Sequence, residues 1–329
     1  MTLTVYRAVV DHARAAACFE GARRRVRALH CALVALLLGA GCATDVSHEQ
    51  LAAEYFHLGT GYLELGEPQQ AADYFQRGLE LRPDADDTRY NLAVALLELG
   101  AANAAAGHLA VLLAADPENV RVLELQAISD QRRGRLGDAL ATYRRLLQVQ
   151  PEHTTARYNA AVLLWALGEL PAAEAELRTV LSYDPDDHPA RYRLGALLAQ
   201  TGPPEEAARV LGEYLEAVPD DGEALATLAQ VERQRGRYEA ALEAYGSAAE
   251  RLPAGDTRQA ELAFERAWIL LAALEDPGAG LAALTRALEH GYRDLDRLTE
   301  LLLEERLVRR GAVLDLITEY FPELVAEPQ

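Results

Sequence analysis

The chain has 329 residues, 50% of them apolar, and carries a formal charge of -19 from 51 acidic and 32 basic side chains. That apolar content excludes wholesale disorder, and the acidic excess excludes nucleic acid as a partner, because phosphate neutralisation needs a basic surface. Cys18, Cys31 and Cys42 all lie in the first 42 residues, so nothing downstream can form a disulfide or a thiolate metal site.

The front end differs from the rest. Residues 1–41 hold Arg7, Arg14, Arg23, Arg24, Arg25 and Arg27 against only Asp11 and Glu20. The stretch "GARRRVRALHCALVALLLGAGC" runs from positive charge through an apolar segment, Cys31 to Ala40, into small residues, the order of a secretory signal. The apolar segment is too short to span a bilayer as a helix, which takes roughly 20 apolar residues. Leu38, Ala40, Gly41 and Cys42 resemble the lipobox of bacterial lipoproteins, with Gly39 where Leu is commoner. The resemblance implies a diacylglyceryl group on the Cys42 sulfur, removal of residues 1–41 and a mature chain anchored in a lipid bilayer. Two or three acyl chains would hold firmly, at about 0.8 kcal/mol per buried methylene. An ordinary cleaved signal and an uncleaved amphipathic start are the alternatives. The basic region is long for a leader, and translation from near Val26 would leave a compact one. Ala43 is not the Asp that retains lipoproteins in an inner membrane, so the resemblance implies the outer membrane, facing the periplasm. Residues 42–51 are expected to be a polar tether.

From Ala52 the chain repeats every 34 residues. Gly recurs at 66, 100, 134, 168, 202 and 236, Ala at 71, 105, 139, 173, 207 and 241, and Pro at 83, 117, 151, 185, 219 and 253. Gly at the fifteenth position is expected to end a first helix in the left-handed conformation. Ala at the twentieth lets a second helix approach closely, and Pro at the thirty-second halts it. Each unit is therefore a helical hairpin: 52–85, 86–119, 120–153, 154–187, 188–221 and 222–255. The eighth position is small (Gly59, Ala93, Ala127, Ala161, Gly195, Ala229) and the twenty-fourth large (Phe75, Leu109, Tyr143, Leu177, Leu211, Tyr245), so large side chains fill the space that small ones leave.

The pattern resembles the tetratricopeptide repeat, matched in the first unit through Tyr55, Leu58, Gly59, Tyr62, Gly66, Ala71, Phe75 and Pro83. The third unit departs most, with Gln126 and Asp130 where Leu and Tyr are usual. The resemblance implies an all-α, right-handed superhelical solenoid. Beyond Asp256 the register slips. Residues 256–329 are expected to form two helices about Asp276 and Pro277, then a capping segment from Ala312 to Tyr320 that closes the array with a polar outer side.

Catalytic patterns are missing from the sequence after Cys42. His48 and His57 are nine residues apart rather than the four of a zinc helix, and "SHEQLAAEYFH" is better read as the solvated start of a helix. The periodic glycines already serve as helix stops, no GxSxG elbow occurs, and acidic pairs on helices are ordinarily solvated. A non-enzymatic protein without cofactor or metal is expected.

The resemblance further implies a concave groove lined by the first helix of each unit, at positions two, five, nine, twelve and thirteen. Those positions supply Phe56, Tyr90, Val94, Arg121, Arg132, Tyr158, Val162, Trp165 and Tyr192, and in the sixth unit Glu223, Gln230 and Arg233. Trp165 is either an exposed anchor for a peptide or covered by its neighbours. The basic and Asn positions of a carboxylate clamp are not met around Asn91 or Asn159, which disfavours capture of a chain terminus. The expected function is a scaffold holding a peptide or helix of an envelope complex, of pilus, outer-membrane or secretion assembly type. A transporter-associated ligand chamber for a small solute is the alternative.

Overall fold

A computed structural model describes residues 47–253 and 255–321. Cys42, the leader and residues 322–329 lie outside the described residues. Among the described residues there are sixteen α-helices, one π turn and no strand. The chain divides into two compact units, Met1–Leu167 and Gly168–Gln329.

The first unit contains α1 (His48–Glu64), α2 (Pro68–Leu81), α3 (Asp86–Glu98), α4 (Ala102–Ala115), α5 (Val120–Arg132), α6 (Leu136–Val149) and α7 (Thr154–Ala166). Helices α1 and α2, α3 and α4, and α5 and α6 pack as hairpins, and each second helix packs on the first helix of the next hairpin. The start of α1 at His48 corrects the expected tether, which was drawn to residue 51. Ser47 and Gln50 form a reciprocal capping box there, satisfying amides that would otherwise fray the first turn.

The second unit contains α8 (Leu170–Tyr183), α9 (His188–Thr201), α10 (Pro204–Ala217), α11 (Gly222–Gln234), α12 (Tyr238–Arg251), α13 (Arg258–Trp268), a π turn (Ile269–Ala273), α14 (Pro277–Glu289), α15 (Leu295–Leu303) and α16 (Arg310–Tyr320). The hairpins are α9 with α10, α11 with α12 and α13 with α14.

Five of the six periodic glycines sit at φ between 68° and 78°, where a β-carbon is strained. Gly202 is the exception, at φ -103° and ψ -178°. Pro203 follows it and disfavours helical backbone in the residue before it, so α9 runs on to Thr201 and the turn opens in extended conformation. The periodic prolines act in the same indirect way. Arg82, Asp116, Gln150, Asp184, Val218 and Leu252, each immediately before a periodic Pro, are the C-caps of the second helices and all leave the helical region. Arginine four places into the next helix then closes the turn: Arg89, Arg157 and Arg191 donate to the carbonyls of Pro83, Pro151 and Pro185.

The core follows the small-against-large rule. All six residues at the twenty-fourth position are at most 3% exposed. A β-carbon on Gly59 would lie 2.6 Å from the Phe75 ring, and one on Gly195 would lie 2.7 Å from Leu211. Where the pattern departs from the repeat, polar groups take over. Asp130 is buried, ion-paired to Arg133 at 2.9 Å and accepts from Gln126 at 2.7 Å, while Ser129 donates to the Ala102 carbonyl. The equivalent position of the sixth hairpin repeats the device, with buried Glu232 against Arg235 at 2.5 Å. An acid at position eleven with arginine at fourteen thus stands in for the usual aromatic.

Past Asp256 the chain turns off its period through the π turn, whose wider ring of hydrogen bonds (Leu274 N–H to Ile269) leaves the Leu271 carbonyl to accept from Val308. Gly280 lies against Leu271 so closely that a β-carbon would meet it at 2.5 Å. Phe264, Tyr292, Leu298, Leu301, Val313 and Ile317 form the terminal core, and Phe264 stacks on Tyr292 at 4.2 Å. The final helix starts at Arg310, two residues before the expected Ala312.

Burial pushes the hydroxyls of Tyr143, Tyr192 and Tyr214 from 10.0 up to about 12. A value raised by folding contributes stability that is complete below pH 10 and lost as pH climbs from 10 through 12. Spectrophotometric titration should therefore show a late group of tyrosines that ionise together with loss of helical circular dichroism.

Candidate functional site

Within the first unit, α1 touches α3 and α3 touches α5, so the first helices of successive hairpins lie side by side. Phe56 is half-buried, with its ring 6.0 Å from Phe75, and so belongs partly to the core of the first hairpin. Tyr90 is half-buried, and the exposed Arg121 guanidinium lies over its ring at 4.5 Å, a cation–π pair reaching from one hairpin to the next. Arg132 is exposed and donates to the Leu97 carbonyl, where a cation complements the C-terminal end of α3. Val94, Tyr158, Val162 and Trp165 are half-buried. Asn159 donates to the buried Tyr143 hydroxyl at 3.1 Å, which gives this asparagine a structural partner in its own unit.

In the second unit α9 touches α11. Tyr192 packs on Tyr214 at 5.3 Å and shares its hydroxyl with Glu223 and Thr227. Glu223 stands at the edge of a cavity of about 310 Å³. Its walls come from four helices: Glu223, Ala226, Gln230 and Arg233 of α11, Tyr245 of α12, Arg258, Glu261 and Glu265 of α13, and Arg297 of α15. Leu252 and Leu262 add apolar surface. The face expected from positions two, nine and twelve of the sixth hairpin therefore becomes a concave site once the divergent hairpin packs beside it.

Charge organises this cavity. Glu265 is 7% exposed and bound at 2.8 Å by Arg297, and its second oxygen lies 3.4 Å from Arg233. Arg297 is itself braced over the rings of Phe264 and Trp268 at 5.3 and 5.6 Å. Burial and then the neighbouring Glu265 charge raise the Glu261 carboxyl above its ordinary value. Burial also pushes up the Tyr245 hydroxyl. Periodicity alone could not place Glu261, Glu265 or Arg297 here, because they lie beyond the point where the period fails. A signal was present in the run of acidic residues spaced four apart, Glu261 and Glu265, on one helical face.

Among the described residues no group of three His, Cys, Asp or Glu side chains could hold a metal ion, and no helix is long and apolar enough to cross a membrane.

The family model for the tetratricopeptide repeat matches residues 62–128, 132–201 and 175–231, about half of the chain. A crystal structure of a tetratricopeptide repeat protein from Parabacteroides merdae is 20% identical, with a TM-score of 0.55 over 80% of this chain and 99% of that one. PilW, a widely conserved type IV pilus biogenesis factor, is 19% identical with a TM-score of 0.52, covering 60% of this chain and 91% of its own. YrrB, a tetratricopeptide protein with an unusual peptide-binding site, is 19% identical with a TM-score of 0.50, covering 56% and 94%. At these identities the likeness is one of fold. No curated protein matches the chain.

Proposed function

The chain belongs to the tetratricopeptide repeat family, and from that premise we propose that it is a non-catalytic scaffold that binds a protein partner along the face of its first helices. The observation that carries this is the cavity of about 310 Å³. Residues of the sixth first helix open there onto a concave wall of mixed charge and apolar surface, the composition of a binding site. Half-buried aromatic side chains on the same class of position in the first unit, Tyr90, Tyr158 and Trp165, supply the apolar bodies and polar tips that peptide interfaces favour. Peptide binding is stated of YrrB and pilus biogenesis of PilW. Function does not follow from fold alone, so both serve only as precedents.

We further propose that the scaffold is held at the cell envelope by acylated Cys42, in the outer membrane and facing the periplasm, where it serves an envelope complex. The support is the basic, apolar and small-residue order of residues 23–42. Affinity capture from detergent-solubilised envelopes tests both parts. The expected result is one protein partner whose recovery falls about tenfold on Trp165→Ala, with a mature chain that mass spectrometry shows to begin at a lipidated Cys42. A co-purified small solute with no protein partner would favour a ligand chamber instead, and an unmodified Cys42 would remove the anchor.

A further inference from the structure

The cavity of the second unit contains three arginines and three glutamates, yet the two signs are not equally available. Arg258 is taken by Asp256, outside the cavity, through contacts of 2.8 and 3.0 Å. Arg297 is taken by Glu265 at 2.8 Å, and Arg233 lies beside the same carboxylate at 3.4 Å. Glu223, which shares the Tyr192 hydroxyl, and Glu261 have no arginine so close. Their closest arginine contacts are 4.0 and 3.9 Å, and their side chains are 66% and 50% exposed, which places both carboxylates at the mouth. Deeper in, Oε2 of the buried Glu265 faces Arg233 Nε at 3.4 Å, yet neither atom makes a hydrogen bond, which leaves an acceptor unmet where such groups are ordinarily satisfied. Ala226, Leu252 and Leu262 supply apolar wall. A volume of about 310 Å³ is at the lower end for a small-molecule site and far below what a helix would need.

Resting on the scaffold reading, we propose that this cavity receives one basic side chain, arginine or lysine, of an extended protein partner. The aliphatic stem of such a residue covers the apolar wall while its head stays polar. The cationic head then meets Glu223 and Glu261 at the mouth and supplies a donor to the unmet Glu265 oxygen. The sign of this recognition is opposite to a clamp for a chain terminus, since each of the cavity's arginines already lies against a carboxylate of the same chain.

The test is selection of a randomised, display-borne peptide library against the full chain and against its E223Q/E261Q variant. These exposed substitutions should leave circular dichroism and melting unchanged. Enriched peptides should share one Arg or Lys position flanked by apolar residues, and that position should lose its enrichment against the variant. A synthetic enriched peptide should bind about tenfold more tightly than its copy with neutral citrulline or norleucine at that position, the loss expected for one charge-assisted contact. Peptides with no basic position, acidic peptides, or basic ones retained equally by the variant would overturn the proposal while leaving the scaffold reading intact. Failure to enrich any peptide would overturn both.

Discussion

Phe75→Ala should lower stability by about 3–5 kcal/mol, the cost of emptying a fully buried aromatic site. Phe75 is 0% exposed. It fills the space above Gly59, which has no side chain to relax into the gap, and its cluster takes in Leu92 and Ala95 of α3 as well as Ala71, Ala72 and Leu79 of α2. The loss should therefore reach from the first hairpin into the second. Because stacked repeats contact mainly their neighbours, amide exchange should accelerate in α1 to α3 while amides of α13 and α14 keep their protection. Denaturant titration with site-resolved hydrogen exchange checks both the magnitude and its reach, and a uniform loss across the chain would contradict the account of independent stacked hairpins.

Asp130→Ala should cost a similar amount, about 3–5 kcal/mol, for a different reason. Its side chain and that of Arg133 are 7% and 16% exposed, and removing one member of a buried ion pair leaves the other's charge unpaired, with only the neutral Asn103 oxygen still accepting from Arg133. Gln126 would lose its acceptor at the same time. Replacing both partners with apolar residues, as in D130L/R133M, should cost less than either single change, because no buried charge is left alone. Thermal unfolding of D130L, R133M and D130L/R133M forms a cycle that reads the coupling directly. Additive losses would mean that the pair is not a unit.

Much of the fold was legible because each periodic residue answers a backbone demand. Gly66, Gly100, Gly134, Gly168 and Gly236 adopt the left-handed turn that their position implied. Gly202 does not, since Pro203 after it changes the backbone preference locally. The polar centre of the third hairpin was visible only as a defect, Gln126 and Asp130 out of pattern. Its remedy, an arginine three residues beyond the acid, also occurs at Glu232 and Arg235 and could have been found by comparing the two hairpins. The candidate site was half legible. Glu223, Gln230 and Arg233 follow from the period, whereas Glu261, Glu265 and Arg297 come from helices beyond Asp256, where the period fails, and spacing alone says nothing of how those helices pack.

The central claim is that a protein partner is held on the face of the first helices. Site-specific photo-crosslinking in cells measures this most directly. A photoreactive residue would be placed in turn at Tyr158 and Glu223 on first helices, and at Val111 and Tyr183, which lie on second helices and are 50% and 52% exposed. Adducts with a protein partner from Tyr158 or from Glu223, and none from Val111 or Tyr183, are predicted. Adducts confined to Val111 and Tyr183, or none from any position, would contradict it.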